Sequence, residues 1–380
     1  MHVLVAPNAF KNSIDANNAA KAIHRGLLKS KLNCTVTCFP IADGGDGTAP
    51  LLIEYLGGEW IQQRVDDPLG RKINSQFGWI KKTKTAIIEL AAASGLRLLK
   101  PNEYDPLKAN TKGTGELMLA ALRHRAEKII FCIGGSATVD GGTGILSSIG
   151  VKFIDKGKKI LNDLPSALSS LAEIDLSDLD KRIHHCNISV LCDVDNTMLG
   201  EKGAAAVFGP QKGASKSDVE KLDQLLSVFS DVTLRQLGKN MSVLKHGGAA
   251  GGVAAALHTF LNASLENGIE SFLDFTNFDN ELDKADLVIT AEGSIDSQTL
   301  NGKGPFGVAR RAKQRSLPVV GLAGIVPEIP DAALQKYFDR LISINEEVTD
   351  IETAIRNTFT NLELTSRKLG DELSSSTVQN

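Results

Sequence analysis

Only 2 of the 380 residues are tryptophan and 3 are tyrosine. No apolar run approaches the length needed to span a bilayer. The amino terminus has neither the basic segment nor the apolar stretch of a secretory signal. An excess of charge of one sign is also missing. The 42 Lys and Arg against 45 Asp and Glu leave a net charge of −3, which offers no overall attraction to nucleic acid or to an anionic membrane. An anionic ligand therefore needs a local set of donors. Cysteine is sparse: Cys34, Cys38, Cys132, Cys186 and Cys192 form no C-x-x-C pair. An odd, scattered set reads as reduced thiols of a soluble cytoplasmic protein. His184, His185 and Cys186 read as a polar loop leading into a strand over 188–192, not as a metal site. Two nucleotide signatures are absent as well. Nothing matches Walker A, and nothing gives a convincing dinucleotide fingerprint with its acidic ribose partner. A P-loop enzyme and a Rossmann oxidoreductase are both disfavoured.

The chain does have the alternation of strand and helix that builds a parallel sheet. A strand over 3–5 leads through a loop to a helix over 13–28, with Ser13 as its N-cap and Ala20, Ile23 and Leu27 on one face. A second strand over 35–39 precedes another helix that has Pro50 in its first turn and Gly57 past its end. In the middle, Asp66-Asp67-Pro68-Leu69-Gly70 and Lys81–Lys84 are turns of an antiparallel meander. A helix follows over 115–124, then a strand over 128–133. Ser217-x-x-Glu220 has the form of a capping box opening a long helix with Val219, Leu222, Leu225, Leu226 and Phe229 on one side. After Asp283 the strand–helix alternation returns. These signals predict two α/β domains, one built from both chain ends (1–65 and 284–370) and one inserted (66–283). The Ser-rich tail, 371–380, is expected to be disordered.

Four Gly-rich segments, 43–48, 134–142, 246–252 and 292–304, each follow a predicted strand and precede a helix. Glycine allows close backbone approach, and a helix start directs free N–H groups at an anion. Four such loops in one chain point to phosphate handling. Carboxylates accompany them: Asp43, Asp193, Asp195 and Glu292 stand at or just beyond the carboxyl ends of strands, where open α/β sheets bind ligands. Phosphoryl transfer needs carboxylates for Mg²⁺ and one to accept the attacking hydroxyl's proton. Asp46 reads equally well as turn chemistry. Lys11 and Lys303 are the best cations, each just ahead of a helix. Arg310 and Arg311 read as the exposed face of the helix that starts at Pro305.

Several motifs carry a resemblance. Ala-Pro-Asn-Ala-Phe-Lys-Asn-Ser from Ala6, Ala-Asp-Gly-Gly-Asp-Gly-Thr from Ala42, Glu-Leu-Ala-Ala-Ala-Ser-Gly-Leu from Glu89 and Thr-Lys-Gly-Thr-Gly-Glu-Leu from Thr111 are four of them. The others are Gly-Gly-Ser-Ala-Thr from Gly134, Cys-Asp-Val-Asp-Asn from Cys192, Gly-Ala-Ala-Ala-Val-Phe-Gly-Pro-Gln-Lys-Gly-Ala from Gly203 and Asp-Ser-Gln-Thr-Leu-Asn-Gly-Lys from Asp296. In this order they resemble the bacterial type-1 glycerate kinase family over nearly the whole chain. The resemblance implies a flavodoxin-like domain and a restriction-enzyme-like α/β domain with a cleft between them. It implies an enzyme that takes ATP and D-glycerate to ADP and a phosphoglycerate, usually the 2-phosphate, with the 3-phosphate left open. It also implies a cytoplasmic role in glycerate, glyoxylate or sugar-acid breakdown. The expected assignments are then Asp43, Asp193 and Lys11 as catalytic residues, and Asn8, Lys11, Ser13, Gly44, Gly45, Glu292 and Asp296 around glycerate. Gly134, Gly135, Ser136, Thr138, Asp140, Gly302 and Lys303 are expected to bind ATP, and Asp193 and Asp195 to bind Mg²⁺. Small molecules are the expected partners of a monomer or homodimer, with no nucleic acid and no membrane. The chain departs from the family pattern at Asn8-Ala9 (usually Asp-Ser), at Val139 (usually Asn) and at Ser294 (usually Arg). The alternative reading is a sugar-acid- or nucleotide-binding protein of the same fold with weakened catalysis.

Overall fold

The computed structural model of the chain describes residues 1–345 and 350–377. Its first strand, His2–Val5, places Val3, Leu4 and Val5 wholly inside, as a short aliphatic run covered on both faces must be. It pairs in parallel with Thr35–Cys38 on one side and with Leu287–Ser294 on the other. The sheet continues outward through Val319–Ile325 and Arg340–Ser343, all parallel. The chain thus leaves the first strand in one direction and returns to its other side. The order reverses between His2–Val5 and Leu287–Ser294, which is the flavodoxin-like switch point.

Two helices cover one face. Ala16–Leu28 buries Ala19, Ala20, Ile23 and Leu27 against the sheet, beside Leu362 and Leu369 of the helix Ile351–Thr377. Gly26 lets the two helices touch, since a Cβ there would lie 2.3 Å from the Glu363 carbonyl oxygen. Ser13 is not the N-cap. Phe10 and Ile14 bridge across a turn, which delays the helix, so Asp15 caps it through the Asn18 N–H. Ser13 Oγ instead donates to the Ile355 carbonyl at 2.6 Å. The expected disordered tail is helical as far as Thr377, and 378–380 lie outside the described residues. It is held by the Lys31 N–H donating to Asp371 at 2.7 Å and by Arg340 donating to Glu372 at 2.7 Å.

The second sheet has six strands, in the order Ser264–Asn267, Asn187–Cys192, Lys128–Cys132, Thr85–Glu89, Lys72–Ile80 and Glu59–Asp66. The first four are parallel and the last two form the expected antiparallel meander. A small hairpin, Lys152–Asp155 with Leu171–Asp175, lies apart from it. The central helices are Lys112–Arg123, which starts three residues before its predicted start, and Lys216–Leu237. The capping box of the latter is Ser215 with Asp218, two residues before the predicted pair. The apolar face from Leu222 to Phe229 is buried as expected.

The chain divides into one compact unit of residues 1–43 and 269–380 and another of residues 44–268. The predicted boundaries at 65 and 283 move because packing reassigns two segments. The helix Thr48–Leu56 belongs with the six-stranded sheet, where Ile53 reaches the backbone of Gly78. The helix Gly268–Phe275 belongs with the parallel sheet, where Ile269 abuts Gly307. Arg311 supplies the polar part of that second contact. It is buried, not exposed, and donates to Glu270, Asp274 and Asp279 at 2.7–3.2 Å. No helix among the described residues is long and apolar enough to cross a membrane.

Candidate active site

The carboxyl-end edge of the parallel sheet gathers most of the predicted substrate residues. Beyond His2–Val5 the backbone stays paired with its neighbour, the Asn8 N–H donating to the Ala291 carbonyl at 2.8 Å. Asn8 is thereby set beside Glu292. Its side chain is nearly buried, and Nδ2 donates to Asp43 Oδ2 at 3.0 Å while Oδ1 accepts from the Ala9 N–H at 2.8 Å. Gly304, the first residue of the helix Gly304–Gln314, fits close under Asn8; a Cβ there would meet Nδ2 at 2.9 Å. Lys303 is the N-cap of that helix and offers no side-chain cap. Glu292 Oε2 is buried and has no hydrogen-bond partner. Burial pushes the Glu292 carboxyl up to about 8; the charges of Asp43 and Asp296 add to the rise, and Lys303 opposes it. Asp296 is committed locally, Oδ1 accepting from the Gln298 N–H at 2.8 Å and Oδ2 from Ser294 Oγ at 3.3 Å.

Lys11 and Ser13 stand elsewhere on the same edge. They line a cavity of about 550 Å³ with Phe10, Gly293, Gly324 and Ile355. The predicted substrate set thus splits in two: an acidic cluster at the switch point and, beside it, a cavity of mixed lining in which Lys11 is accompanied by Glu328. Gly293 belongs to the edge of both, the position of an added Cβ lying 4.0 Å from the Lys11 backbone nitrogen.

In the second unit the predicted phosphate loops lie against one another. Gly134 packs on Gly45, where an added Cβ would meet Gly45 Cα at 2.5 Å. Gly251 packs on the Thr138 carbonyl at 2.2 Å from its Cβ position. Part of the glycine richness is therefore a demand of loop-on-loop packing rather than of a ligand. The loop after Lys128–Cys132 is also tied to the segment around Gly95, through Leu96 N–H to the Gly135 carbonyl and Ala137 N–H to the Ser94 carbonyl. Asp140 faces inward and accepts four hydrogen bonds, from the Thr111 N–H and hydroxyl and from the Gly142 and Gly144 N–H groups, at 2.7–3.2 Å. It shapes the loop from behind.

Two groups here escaped the sequence reading. Lys212 is 2% exposed, and its Nζ donates to Ser136 Oγ at 2.8 Å and to the Thr138 carbonyl at 2.7 Å. Burial pulls its ammonium down to about 7, and only the Asp140 charge opposes this. Its signal was a lysine in Pro210-Gln211-Lys212-Gly213, a turn-forming stretch that follows a run of small residues. Glu89 ends a wholly buried strand, the same signal that singled out Asp193. It accepts from the Gly47 N–H at 2.5 Å and faces Arg97, which donates to Asp46 at 2.7 Å. Burial pushes Glu89 up to about 7, and the Gly47 hydrogen bond holds it from rising further.

Asp193 and Asp195 follow the strand Asn187–Cys192 and are exposed. Asp195 sits 3.3 Å from Lys245 Nζ and 3.2 Å from His246 Nδ1. Among the described residues no group of three or more His, Cys, Asp and Glu side chains is placed to hold a metal. Magnesium is usually held by one or two carboxylates together with phosphate oxygens and water, and two exposed carboxylates on one loop fit that mode.

The model of the glycerate kinase family matches residues 3–374. A glycerate kinase of Bacillus subtilis is 42% identical over 97% of each chain. A glycerate 2-kinase of Escherichia coli is 39% identical over 98% of each. A crystal structure of a protein from Salmonella typhimurium LT2, described as a proposed glycerate kinase 2, superposes with a TM-score of 0.84 at 40% identity, covering 99% of both chains. A family match through both units, at this identity and coverage, means that the chain belongs to the glycerate kinase family and is an enzyme of that kind.

Proposed function

We propose that this kinase transfers the γ-phosphoryl group of ATP to the 2-hydroxyl of D-glycerate, with Mg²⁺, in the cytoplasm. The role is glycerate use after glyoxylate or sugar-acid breakdown, carried out by a monomer or homodimer whose partners are small molecules, not nucleic acid. The observation that carries the reading is the family match over residues 3–374. The acidic cluster at the switch point supports it, because a hydroxyl that must lose its proton needs carboxylates beside it.

In this reading Lys11 supplies positive charge for the glycerate carboxylate, and Asn8, Asp43 and Glu292 receive its hydroxyl end. Gly134, Gly135 and Ser136 offer the backbone and hydroxyl of a loop held rigid by Asp140 and Lys212. Lys303 adds a cation beside a helix start. Asp193 and Asp195 would hold Mg²⁺, which when bound neutralises phosphate charge. Phosphoryl transfer asks little covalent chemistry of the protein, so fixed position and fixed charge supply most of the rate.

The test is ADP release by the purified chain over a panel of small hydroxy acids, with and without Mg²⁺. D-Glycerate is expected to give the highest kcat/KM, and chelation of Mg²⁺ to abolish turnover. ATP binding without glycerate-dependent ADP release would replace the kinase reading by that of a binding protein weakened at Asn8 and Ser294.

A further inference from the structure

We propose that Glu292 is the group that takes the proton from the substrate hydroxyl, and that Asp43 and Asn8 orient that hydroxyl. The proposal rests on the kinase reading and adds a role within the same edge of the parallel sheet.

Glu292 feels two other carboxylates there, Asp43 and Asp296. Asp296 has both oxygens engaged, by the Gln298 N–H and the Ser294 hydroxyl, and it caps the turn Ser297–Asn301. Asp43 has Oδ2 engaged by Asn8 Nδ2 at 3.0 Å. An oxygen that accepts a fixed amide hydrogen can steer a hydroxyl but is a poorer proton acceptor. Asn8 is an amide and cannot serve as a base. Glu292 Oε2 alone of these carboxylate oxygens is buried and without a partner. Buried polar atoms in folded proteins nearly always have partners, and an exception calls for an explanation. A hydroxyl arriving at this edge would complete the set by donating to Oε2.

The neighbourhood also tunes Glu292 for the task. Burial and the negative charges of Asp43 and Asp296 raise its carboxyl, Lys303 at the start of the helix Gly304–Gln314 restrains it, and it titrates at about 8. A general base works best when it titrates near the working pH. In the step itself, the glycerate oxygen forms a bond to the γ-phosphorus, and the bond from that phosphorus to the β-phosphate oxygen breaks. The electron pair of the broken bond leaves with ADP. The hydroxyl proton passes to the Glu292 carboxylate and is lost to water after product release.

The experiment is the pH dependence of kcat/KM for D-glycerate in the full chain and in Glu292→Gln, Glu292→Asp and Asp43→Asn. The wild type should show a rising limb centred near pH 8. Glu292→Gln should lose the limb and about 10²–10⁴ in kcat, with KM for D-glycerate changed only a few-fold. Glu292→Asp should recover part of the rate and keep a limb, displaced in pH. Asp43→Asn should move the limb to lower pH, since it removes one of the charges that raise Glu292. An active Glu292→Gln enzyme, within about threefold of wild type, or a limb unchanged in all three variants, would overturn the proposal. If Glu292→Gln fails to fold, Glu292→Asp decides, and an undisplaced limb at wild-type rate overturns it. A wild type without glycerate-dependent turnover would instead overturn the kinase reading itself.

Discussion

Lys212 offers a prediction whose size follows from its surroundings. It is the buried cation under the loop from Gly134 to Asp140, and replacing it with methionine keeps most of its volume while removing the charge. In the unfolded chain its amine holds a proton up to about pH 10.5, and in the folded unit only up to about 7. The cause is burial, opposed by Asp140 alone. Between these values the unfolded state binds the extra proton, so folding stability from this group rises with pH and is lost as pH falls toward 7. The slope is about 1.4 kcal/mol per pH unit. Raising the pH from about 7.5 to 9 should therefore move the stability of wild type relative to Lys212→Met by about 2 kcal/mol in favour of wild type. Taking the difference between the two proteins cancels the other groups that titrate in this range, among them Glu292 in the folded protein and the thiols of the unfolded chain. The assay is urea unfolding followed by tryptophan fluorescence. Both tryptophans, Trp60 and Trp79, lie in the unit of residues 44–268 that holds Lys212. A difference that stays flat over this range would refute the claim that Lys212 is folded in as a destabilised ammonium.

Other expectations can be checked in parallel. Gly134→Ala should destabilise the same unit by about 1–3 kcal/mol, because its methyl group would meet Gly45 Cα at 2.5 Å; an unchanged urea midpoint would contradict that packing. Asp193→Asn and Asp195→Asn should each raise the Mg²⁺ concentration for half-maximal ADP release about tenfold or more without altering the fold; an unchanged Mg²⁺ titration in both would place the metal elsewhere. Asn8→Asp exchanges the Nδ2 donor to Asp43 for a third carboxylate. It should alter mainly KM for glycerate, and a rise in kcat of about 10²–10⁴ would instead make position 8 the base.

What the sequence made legible follows from how local each signal is. The strand over 3–5, the meander after Asp66 and the long helix face from Leu222 to Phe229 depend on periodicity and turn chemistry within a few residues, and they appear where expected. The carboxylates at strand ends were legible for the same reason. The first cap failed because a local turn chose between neighbouring candidates: the Phe10–Ile14 bridge moved it from Ser13 to Asp15. Arg311 failed because its three acidic partners come from residues 270–279, which only packing brings to its helix. The tail failed because Leu362 and Leu369 anchor a helix whose last turns are polar. Lys212 was hidden because a charged residue in a loop reads as solvated until its surroundings are seen to be closed. The glycines carried two meanings at once, and only the contact of Gly134 with Gly45 and of Gly251 with Thr138 separates packing from ligand approach.

Under the proposed function, this chain phosphorylates the 2-hydroxyl of D-glycerate. Phosphorus NMR of the product formed from ATP, Mg²⁺ and D-glycerate tests it most directly. A single new phosphomonoester resonance is expected, coupled to the one proton on C2 and growing in step with ADP. A resonance coupled to the two protons of C3 would contradict the assigned hydroxyl, and inorganic phosphate alone would contradict the assigned substrate.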